Sequence, residues 1–376
     1  MRLVRFSLLA VAAAALVLAT SAYAGAPAVS ARAYYVVNPT TGEVLAQKRA
    51  WARVPIASIT KLMTVMVALD RAKWNDVVRV QREAAAVGES TINLHAGESI
   101  TVGDLIKGAL IQSANDAADA LADYVGHGDE EAFVQMMNAK AAELGLARTH
   151  FARPDGLDAR AHYSTALDVT LLAETAMRDP RIRAVVRERT ASISGGRRLH
   201  TWNDLLGVFG GVYGVKTGHT SAAGWCQVAA VRRNGVTLYT TVLGSPTRSQ
   251  RNGDLAGLLR WAISRYRQAW VVQPQRVYLR ADVGYGKSAV PIVAASGAAA
   301  AVRVDRPLVE RVVAPAALSL PVTRGQRVGE VRVYSGKRLV ARRALVAQRS
   351  VARPGFGGRV GFYVTRTFHN IGSWFS

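Results

Sequence analysis

Apolar and polar positions change period several times along this chain, and each change marks an element. Arg2 and Arg5 open a basic start, followed by an apolar run from Phe6 to Leu18 and by Ser21-Ala22-Tyr23-Ala24 before Gly25. A basic start, a short apolar stretch and an A-x-A site are the marks of a secretory leader, so residues 1–24 are expected to be removed on export. The apolar run is short for a bilayer span. Tyr34-Tyr35-Val36-Val37, Asn38-Pro39-Thr40-Thr41-Gly42 and Glu43-Val44-Leu45 then read as strand, turn, strand, with Pro and Gly supplying the turn dihedrals. From Ser58 to about Ala72 the period turns helical, with Leu62, Val65, Met66 and Leu69 at i, i+3, i+4 and i+7. Helical stretches alternate with polar loops between Leu105 and Leu172. Val212 to Leu243 is β in pattern, and Asn234-Gly235 between two β-branched runs is a type I′ hairpin signal. A helix follows, carrying Leu255, Leu258, Leu259, Ala262, Ile263 and Tyr266 on one face. Strands, then helices, then an antiparallel set that closes the unit predict an α/β (α+β) domain over residues 25–273, its antiparallel sheet flanked by helices.

After Gln273-Pro274-Gln275 the runs become short and alternating, with no convincing helix from Val277 to Val346. Val328 to Tyr334, then Ser335-Gly336, then Lys337 to Val340 reads as a hairpin. Residues 274–350 are therefore expected to form a small all-β domain, and no constellation in it carries chemistry. The last stretch, 351–376, is different again. Val360, Val364, Phe368, Ile371 and Phe375 fall on one helical stripe with Trp374 and Tyr363 at its flank, while Arg359, Arg366, His369, Asn370 and Ser373 gather opposite; Phe362 alone breaks the pattern. An aromatic-rich amphipathic helix with cations on its polar side reads as an in-plane, reversible membrane anchor. A helix docked on its own protein is the alternative.

Composition narrows this picture. A chain of 376 residues exceeds one ordinary core, and 50% hydrophobic with 20% charged residues excludes general disorder. The formal charge is +22, or +20 once Arg2 and Arg5 leave with the leader. Such a balance fits nucleic acid, an anionic membrane surface or an acidic polymer, and equally a basic bias on solvated faces. Export argues against nucleic acid, and the arginines are scattered instead of gathered in blocks with aromatics. The single cysteine, Cys226, excludes an internal disulfide. It lies in the apolar run Trp225 to Val231, where a small core residue is expected and not a nucleophile.

Three short motifs occur in order: Ser58-Ile59-Thr60-Lys61, Ser113-Ala114-Asn115 and Lys216-Thr217-Gly218. Ser58 opens the first amphipathic helix, so it is expected at a helix N-terminus, where an N-cap is its bland reading. Lys61, three residues on, shares its face. To take a proton from Ser58 the amine must be neutral; burial among Leu62, Met63 and Val65 would lower its pKa, and Lys216 is the expected second cation lowering it further. Ser113 and Asn115 lie in a turn between helices, where the first can relay a proton and the second can orient Lys61. Lys216, Thr217 and Gly218 end a glycine-rich strand whose edge can offer its backbone to an extended peptide, with Lys216 and Thr217 placed to bind a terminal carboxylate.

With Ser113-Ala114-Asn115-Asp116-Ala117, Thr149-His150-Phe151, Gly156-Leu157-Asp158 and Lys216-Thr217-Gly218-His219-Thr220, the chain resembles the low-molecular-weight D-alanyl-D-alanine carboxypeptidases, serine enzymes of peptidoglycan maturation, over essentially its mature length. The resemblance implies a penicillin-binding, serine β-lactamase-like fold and removal of the terminal D-alanine from stem pentapeptides, with β-lactams as covalent inhibitors and no cofactor or metal. It also implies Ser58 as acyl-enzyme nucleophile, Lys61 as base, Ser113 in proton transfer and Lys216 on the substrate carboxylate, at the periplasmic side of the cytoplasmic membrane. His219 matches a motif position, where a structural role is equally open. An arginine commonly assists such sites, and Arg248 and Arg251 both qualify. Where the family usually has Asn before Pro or His, this chain has Arg153-Pro154-Asp155, and the chemistry of that loop stays open. The alternatives are an endopeptidase cutting cross-links, a β-lactamase (no glutamate is recognisably placed for one) and a non-catalytic envelope-binding protein, against which three intact motifs argue.

Overall fold

A computed structural model describes residues 25–357 and 360; the expected leader, 1–24, and residues 358–359 and 361–376 of the expected terminal helix, 351–376, lie outside the described residues. In chain order, β1 (Ala33–Asn38) and β2 (Glu43–Lys48) form the expected first hairpin, with the Thr40 amide donating to the Asn38 side chain in its turn. A 3-10 turn, Ala57–Thr60, leads into α1 (Lys61–Arg71). Two short paired strands, β3 (Val77–Arg79) and β4 (Ser99–Thr101), bracket the single turn α2 (Arg82–Ala85). Then come α3 (Val102–Lys107), a π turn (Gly108–Gln112), α4 (Asn115–Gly126), α5 (Glu130–Glu143), α6 (Ala166–Ala176) and α7 (Pro180–Val185). The small hairpin of β5 (Thr190–Ser192) and β6 (Arg198–His200) precedes three long strands, β7 (Val212–Thr220), β8 (Gly224–Arg233) and β9 (Val236–Ser245), and the helix α8 (Arg248–Ser264). Thr101, Asp129, Thr165, Asp179 and Thr247 start α3, α5, α6, α7 and α8 by accepting a first-turn amide, the role for which short oxygen-bearing side chains are suited.

The long strands join the first hairpin in one antiparallel sheet of order β2-β1-β9-β8-β7. Both its faces are buried. Val228 and Ala230 of β8 pack with Leu62, Leu121 and Val169 on the side of α1, α4 and α6, while Ala229 and Val231 pack with Leu255, Leu258 and Leu259 of α8. Alternate residues of one strand thus feed two cores, as the period of two requires. Asn234-Gly235 makes the expected tight turn, both residues at positive φ. Cys226 is fully buried in β8, and burial pushes its thiol up to about 11, as suits a core residue.

The second domain holds β10 (Tyr266–Val272), β11 (Val277–Ala281), β12 (Val290–Ala294), β13 (Ala298–Arg303), β14 (Leu308–Val313), β15 (Arg327–Ser335) and β16 (Arg338–Ala347). Its larger sheet runs β11-β12-β16-β15-β14, and β10 pairs with β13 beside it. This moves the boundary expected at residue 274. Tyr266 still packs in the catalytic domain's core, but Val271 and Val272 already belong to the second domain's, so the chain crosses over along β10. Gln273-Pro274-Gln275 is a turn inside that domain, which a composition shift alone could not distinguish from a linker. The β15–β16 turn is Gly336-Lys337, one residue later than the pattern placed it. Among the described residues no helix is long and apolar enough to cross a membrane.

Candidate active site

Ser58 is half-buried in the 3-10 turn against the open edge of β7, the outermost strand of its sheet. It is not a helix cap: Ile56 leads the turn, α1 begins only at Lys61, and the Ser58 hydroxyl is held by Lys61. The reason is Ala57, whose φ of +50° costs a non-glycine residue about 1 kcal/mol and turns the chain before the serine. Two glycines leave room for this turn. At Gly156 (φ +84°) a Cβ would run into the Ala57 carbonyl, and at Gly218 one would lie 2.9 Å from Ile56 O and 3.0 Å from Ser58 N.

Lys61 is fully buried, and its Nζ has three neighbours: Ser58 Oγ at 2.8 Å, Asn115 Oδ1 at 2.7 Å and Asp155 O at 2.6 Å. Two of these, an amide oxygen and a backbone carbonyl, are pure acceptors. A neutral amine has two N–H groups and one lone pair, so in that state the acceptors take both hydrogens and the lone pair faces the Ser58 hydroxyl. Burial lowers the Lys61 pKa to about 8. The nearby cation that assists is Arg153, opposed by Asp155, Asp119 and Asp116; Lys216, expected in that role, is not among the groups that shift it most. Lys216 is itself buried and held well below the usual lysine range by that burial and by Lys61 and Arg251.

Lys216 Nζ donates to Ser113 Oγ and to Thr217 O, each at 2.8 Å. Ser113 is left-handed (φ +65°) at the end of the π turn, which points its hydroxyl at Lys216 just before α4 begins. Asn115 Nδ2 donates to Gly88 O at 3.0 Å, which turns the amide oxygen toward Lys61. The three motifs, far apart in sequence, therefore converge on one point.

A family model described as D-alanyl-D-alanine carboxypeptidase (peptidase family S11) matches residues 20–247. The chain belongs to this family. It is 34% identical over 374 residues to the D-alanyl-D-alanine carboxypeptidase DacC of Escherichia coli, covering 93% of this chain and 92% of the relative. DacA of the same organism is 30% identical over 380 residues, covering 93% and 90%. Among solved structures, the carboxypeptidase DacD of Francisella tularensis superposes with a TM-score of 0.63 at 26% identity, covering 88% of this chain and 95% of that one. Penicillin binding protein 5 of Haemophilus influenzae gives 0.63 at 26% identity, covering 87% and 99%. The fold is thus the penicillin-binding type followed by a β-rich domain.

The carboxypeptidase's cleft is walled by Glu89, Ser90, Leu157, Trp202, Trp225 and Arg251, with Ser58, Ser113, Asn115, Thr217, Gly218 and His219 at its floor and rim. Arg251, not Arg248, is the arginine of the cleft. Its side chain is 1% exposed, lies over Trp225 with the guanidinium 5.6 Å from the ring centroid, and is tied to Asp204 and Asn252. Arg248 is taken up by both oxygens of Asp204 and lies over Trp202. His219 is exposed and stacks on Trp225, ring centroids 4.1 Å apart. Lys216 is not among the residues that line the cleft, and its Nζ is taken up by Ser113 Oγ and Thr217 O.

The Arg153-Pro154-Asp155 departure turns out to hold Lys61 in place. Asp155 is fully buried, its carboxylate gripped by Arg153 at 2.5 and 2.7 Å and by the Leu157 amide, while the Thr64 hydroxyl donates to Pro154 O. That frame sets the Asp155 carbonyl on Lys61. Downstream, Asp158 accepts from Thr220 Oγ1 and the Ala222 amide, pinning the same loop to the end of β7. Sequence reading missed Glu89, Ser90 and Trp202 as cleft residues, since none belongs to a motif and only tertiary packing brings them there.

Proposed function

We propose that this carboxypeptidase removes the terminal D-alanine of peptidoglycan stem pentapeptides through an acyl-enzyme on Ser58, and that penicillins acylate the same oxygen. The observation that carries it is the set of three neighbours around Lys61 Nζ, which leaves a neutral amine one lone pair, aimed at Ser58 Oγ. Lys61 takes the hydroxyl proton as Oγ attacks the penultimate D-alanine carbonyl. The tetrahedral oxyanion forms beside the Ser58 amide, where Gly218 lets the edge of β7 close in and supply backbone donors. Ser113, paired with Lys216, passes a proton to the departing amine. Water then attacks the ester, and the enzyme is regenerated. Arg251 and Thr217 suit the free carboxylate of the leaving residue, a guanidinium in a poorly hydrated cleft being a strong carboxylate partner. A reading with a free C-terminus is thereby favoured over cross-link cleavage. The leader pattern supports action outside the cytoplasmic membrane, on its periplasmic side, and the tail pattern supports peripheral attachment there. Incubating the pure protein with a pentapeptide and with a cross-linked dimer separates the activities: free D-alanine from the first is the expected product, and cleavage of the dimer alone would sink the assignment.

A pH dependence follows from the depressed lysine. A Lys61 pKa of about 8 leaves about a tenth of the amine neutral at pH 7 and half at pH 8. The acylation rate at low substrate is expected to climb through that range and level above it, with no comparable rise in substrate binding.

The Arg153–Asp155 pair is expected to set where this rise falls. Arg153 lowers the lysine pKa and Asp155 raises it, so Arg153→Gln should move the transition to higher pH and Asp155→Asn to lower pH. Opposite displacements in the two pH profiles are the readout; equal losses of rate with an unmoved profile would reduce the pair to a merely structural one.

A further inference from the structure

Between residues 274 and 357 there are fifteen Lys and Arg against four Asp and Glu. Over the sheet face much of this charge is met within the domain. Arg311, Arg332 and Arg342 stand opposite one another across β14, β15 and β16; Glu330 pairs with the last two, and Arg311 lies over the Tyr334 ring.

One end of the domain is different. Loops 282–289, 321–326 and 348–353 meet where β16 finishes and the chain leaves: Val322 bridges to Val351, the Gly325 amide donates to Ala347 O, Arg349 donates to Ser288 O at 2.6 Å, and the Arg324 amide to Ser350 Oγ at 2.9 Å. Lys287, Arg324, Arg349 and Arg353 gather here, the three arginines exposed. Among the described residues none of the four pairs with a carboxylate, unlike Arg265, Arg276, Arg303, Arg306, Arg332 and Arg342 of the same domain region. Arg349 and Arg353 are fixed by carbonyls, Ser288 and Leu320, which position a guanidinium without neutralising it. Asp282 is the one acid in these loops.

The other end of β16 meets the catalytic domain. Arg338 and Val340 share a groove with Asn38, Arg232 and Gly235, and Arg303 and Arg306 both reach Glu43. The ten residues of β16, at about 3.3 Å each, set the two ends roughly 30 Å apart. The basic end is also where the chain runs out toward the apolar stripe of Val360, Val364, Phe368, Ile371 and Phe375, and Phe356 just before it is 79% exposed.

We propose that this end of the second domain is a docking surface for the anionic headgroups of a lipid bilayer. The inference deepens the reading of residues 351–376 as an in-plane anchor and rests on it. A bilayer presents a plane of negative charge, which a set of cations without carboxylate partners at one blunt end matches and an internally paired sheet face does not. A single amphipathic tail binds reversibly, and a second, electrostatic signal makes attachment stable. Each basic residue held at such a surface strengthens binding about fivefold.

Sedimentation of the full mature chain with vesicles tests this, using phosphatidylcholine alone and phosphatidylcholine with a quarter phosphatidylglycerol. Arg324→Gln/Arg349→Gln is expected to weaken binding to the anionic vesicles at least about tenfold, the product of two such contributions being larger still, and to leave binding to neutral vesicles and D-alanine release from a soluble pentapeptide unchanged. Adding Arg353→Gln should deepen the loss. Arg311→Gln/Arg342→Gln removes the same charge from the sheet face and is expected to change binding by less than about twofold, those side chains lying well away from the membrane plane. Equal losses in the two double variants would overturn the proposal in favour of net charge alone, and so would no loss in the first. Loss of retention on an immobilised acidic polysaccharide with vesicle binding intact would overturn it in favour of a wall polymer. Binding of the parent chain to neutral vesicles reports on the tail separately, and D-alanine release reports on the active site.

Discussion

Ser58→Ala is expected to lower D-alanine release by a factor on the order of 10⁴ or more and to abolish the covalent adduct with a fluorescent penicillin, because Ser58 Oγ is the oxygen that the lone pair of Lys61 faces. The residual rate should be that of bound, polarised substrate attacked by water. Lys61→Met asks the complementary question. Its unbranched chain fills the same buried space, but it leaves Asn115 Oδ1 and Asp155 O without their donor and Ser58 without its acceptor. Acylation should fall by about 10³-fold or more, and the rise in rate near pH 8 should vanish with the group that produces it. The two variants differ in one respect that tests the assignment. Ser58→Ala removes the adduct altogether, whereas Lys61→Met should still form it slowly and stoichiometrically. A penicillin adduct that persists undiminished in Ser58→Ala would place the nucleophile elsewhere.

Gly156→Ala is the second large effect. Any L-residue at φ +84° carries a backbone strain of roughly 1 kcal/mol. Here the added methyl would also meet the Ala57 carbonyl and Thr60 Oγ1, backbone and a buried side chain that cannot move aside cheaply. Two things then shift together: the turn that presents Ser58, and the Asp155 carbonyl one residue before the glycine. A displacement near 1 Å is enough for a loss of about 100-fold in acylation. Gly128 supplies the control, since its φ is +86° and a Cβ there would meet nothing within 4 Å. Gly128→Ala should cost only the strain, read as a modest drop in melting temperature, with D-alanine release untouched. Equal, small effects at both sites would mean that the Gly156–Ala57 contact does not position the serine.

The sequence alone determined the local chemistry. Ser58 and Lys61 are three residues apart, so any helical path puts them on one face. Asn234-Gly235 specifies its turn because both residues tolerate positive φ, and the near-continuous apolar run along β8 specifies a strand buried on two sides. Motif order and the run of β and helical patterns likewise sufficed for fold class and family. What the tertiary structure decided has a common character: it depends on approach between residues far apart in the chain, or on backbone atoms, which carry no residue-type signature. The third partner of Lys61 is a carbonyl oxygen 94 positions away, and nothing in the letters Arg-Pro-Asp announces that role. Lys216 was expected to lower the Lys61 pKa, yet burial does most of that and Arg153 is the assisting cation, and only packing fixes burial and brings Arg153 near. Arg248 and Arg251 sit nearly one turn apart on α8 and are equivalent by periodicity; the position of Trp225 on β8 and of Asp204 in its loop separates them. The nucleophile was visible in a four-residue pattern, but the strained Ala57 that presents it is held by Gly156 and Gly218, 98 and 160 residues further along the chain from Ser58, and only the folded chain brings all three together.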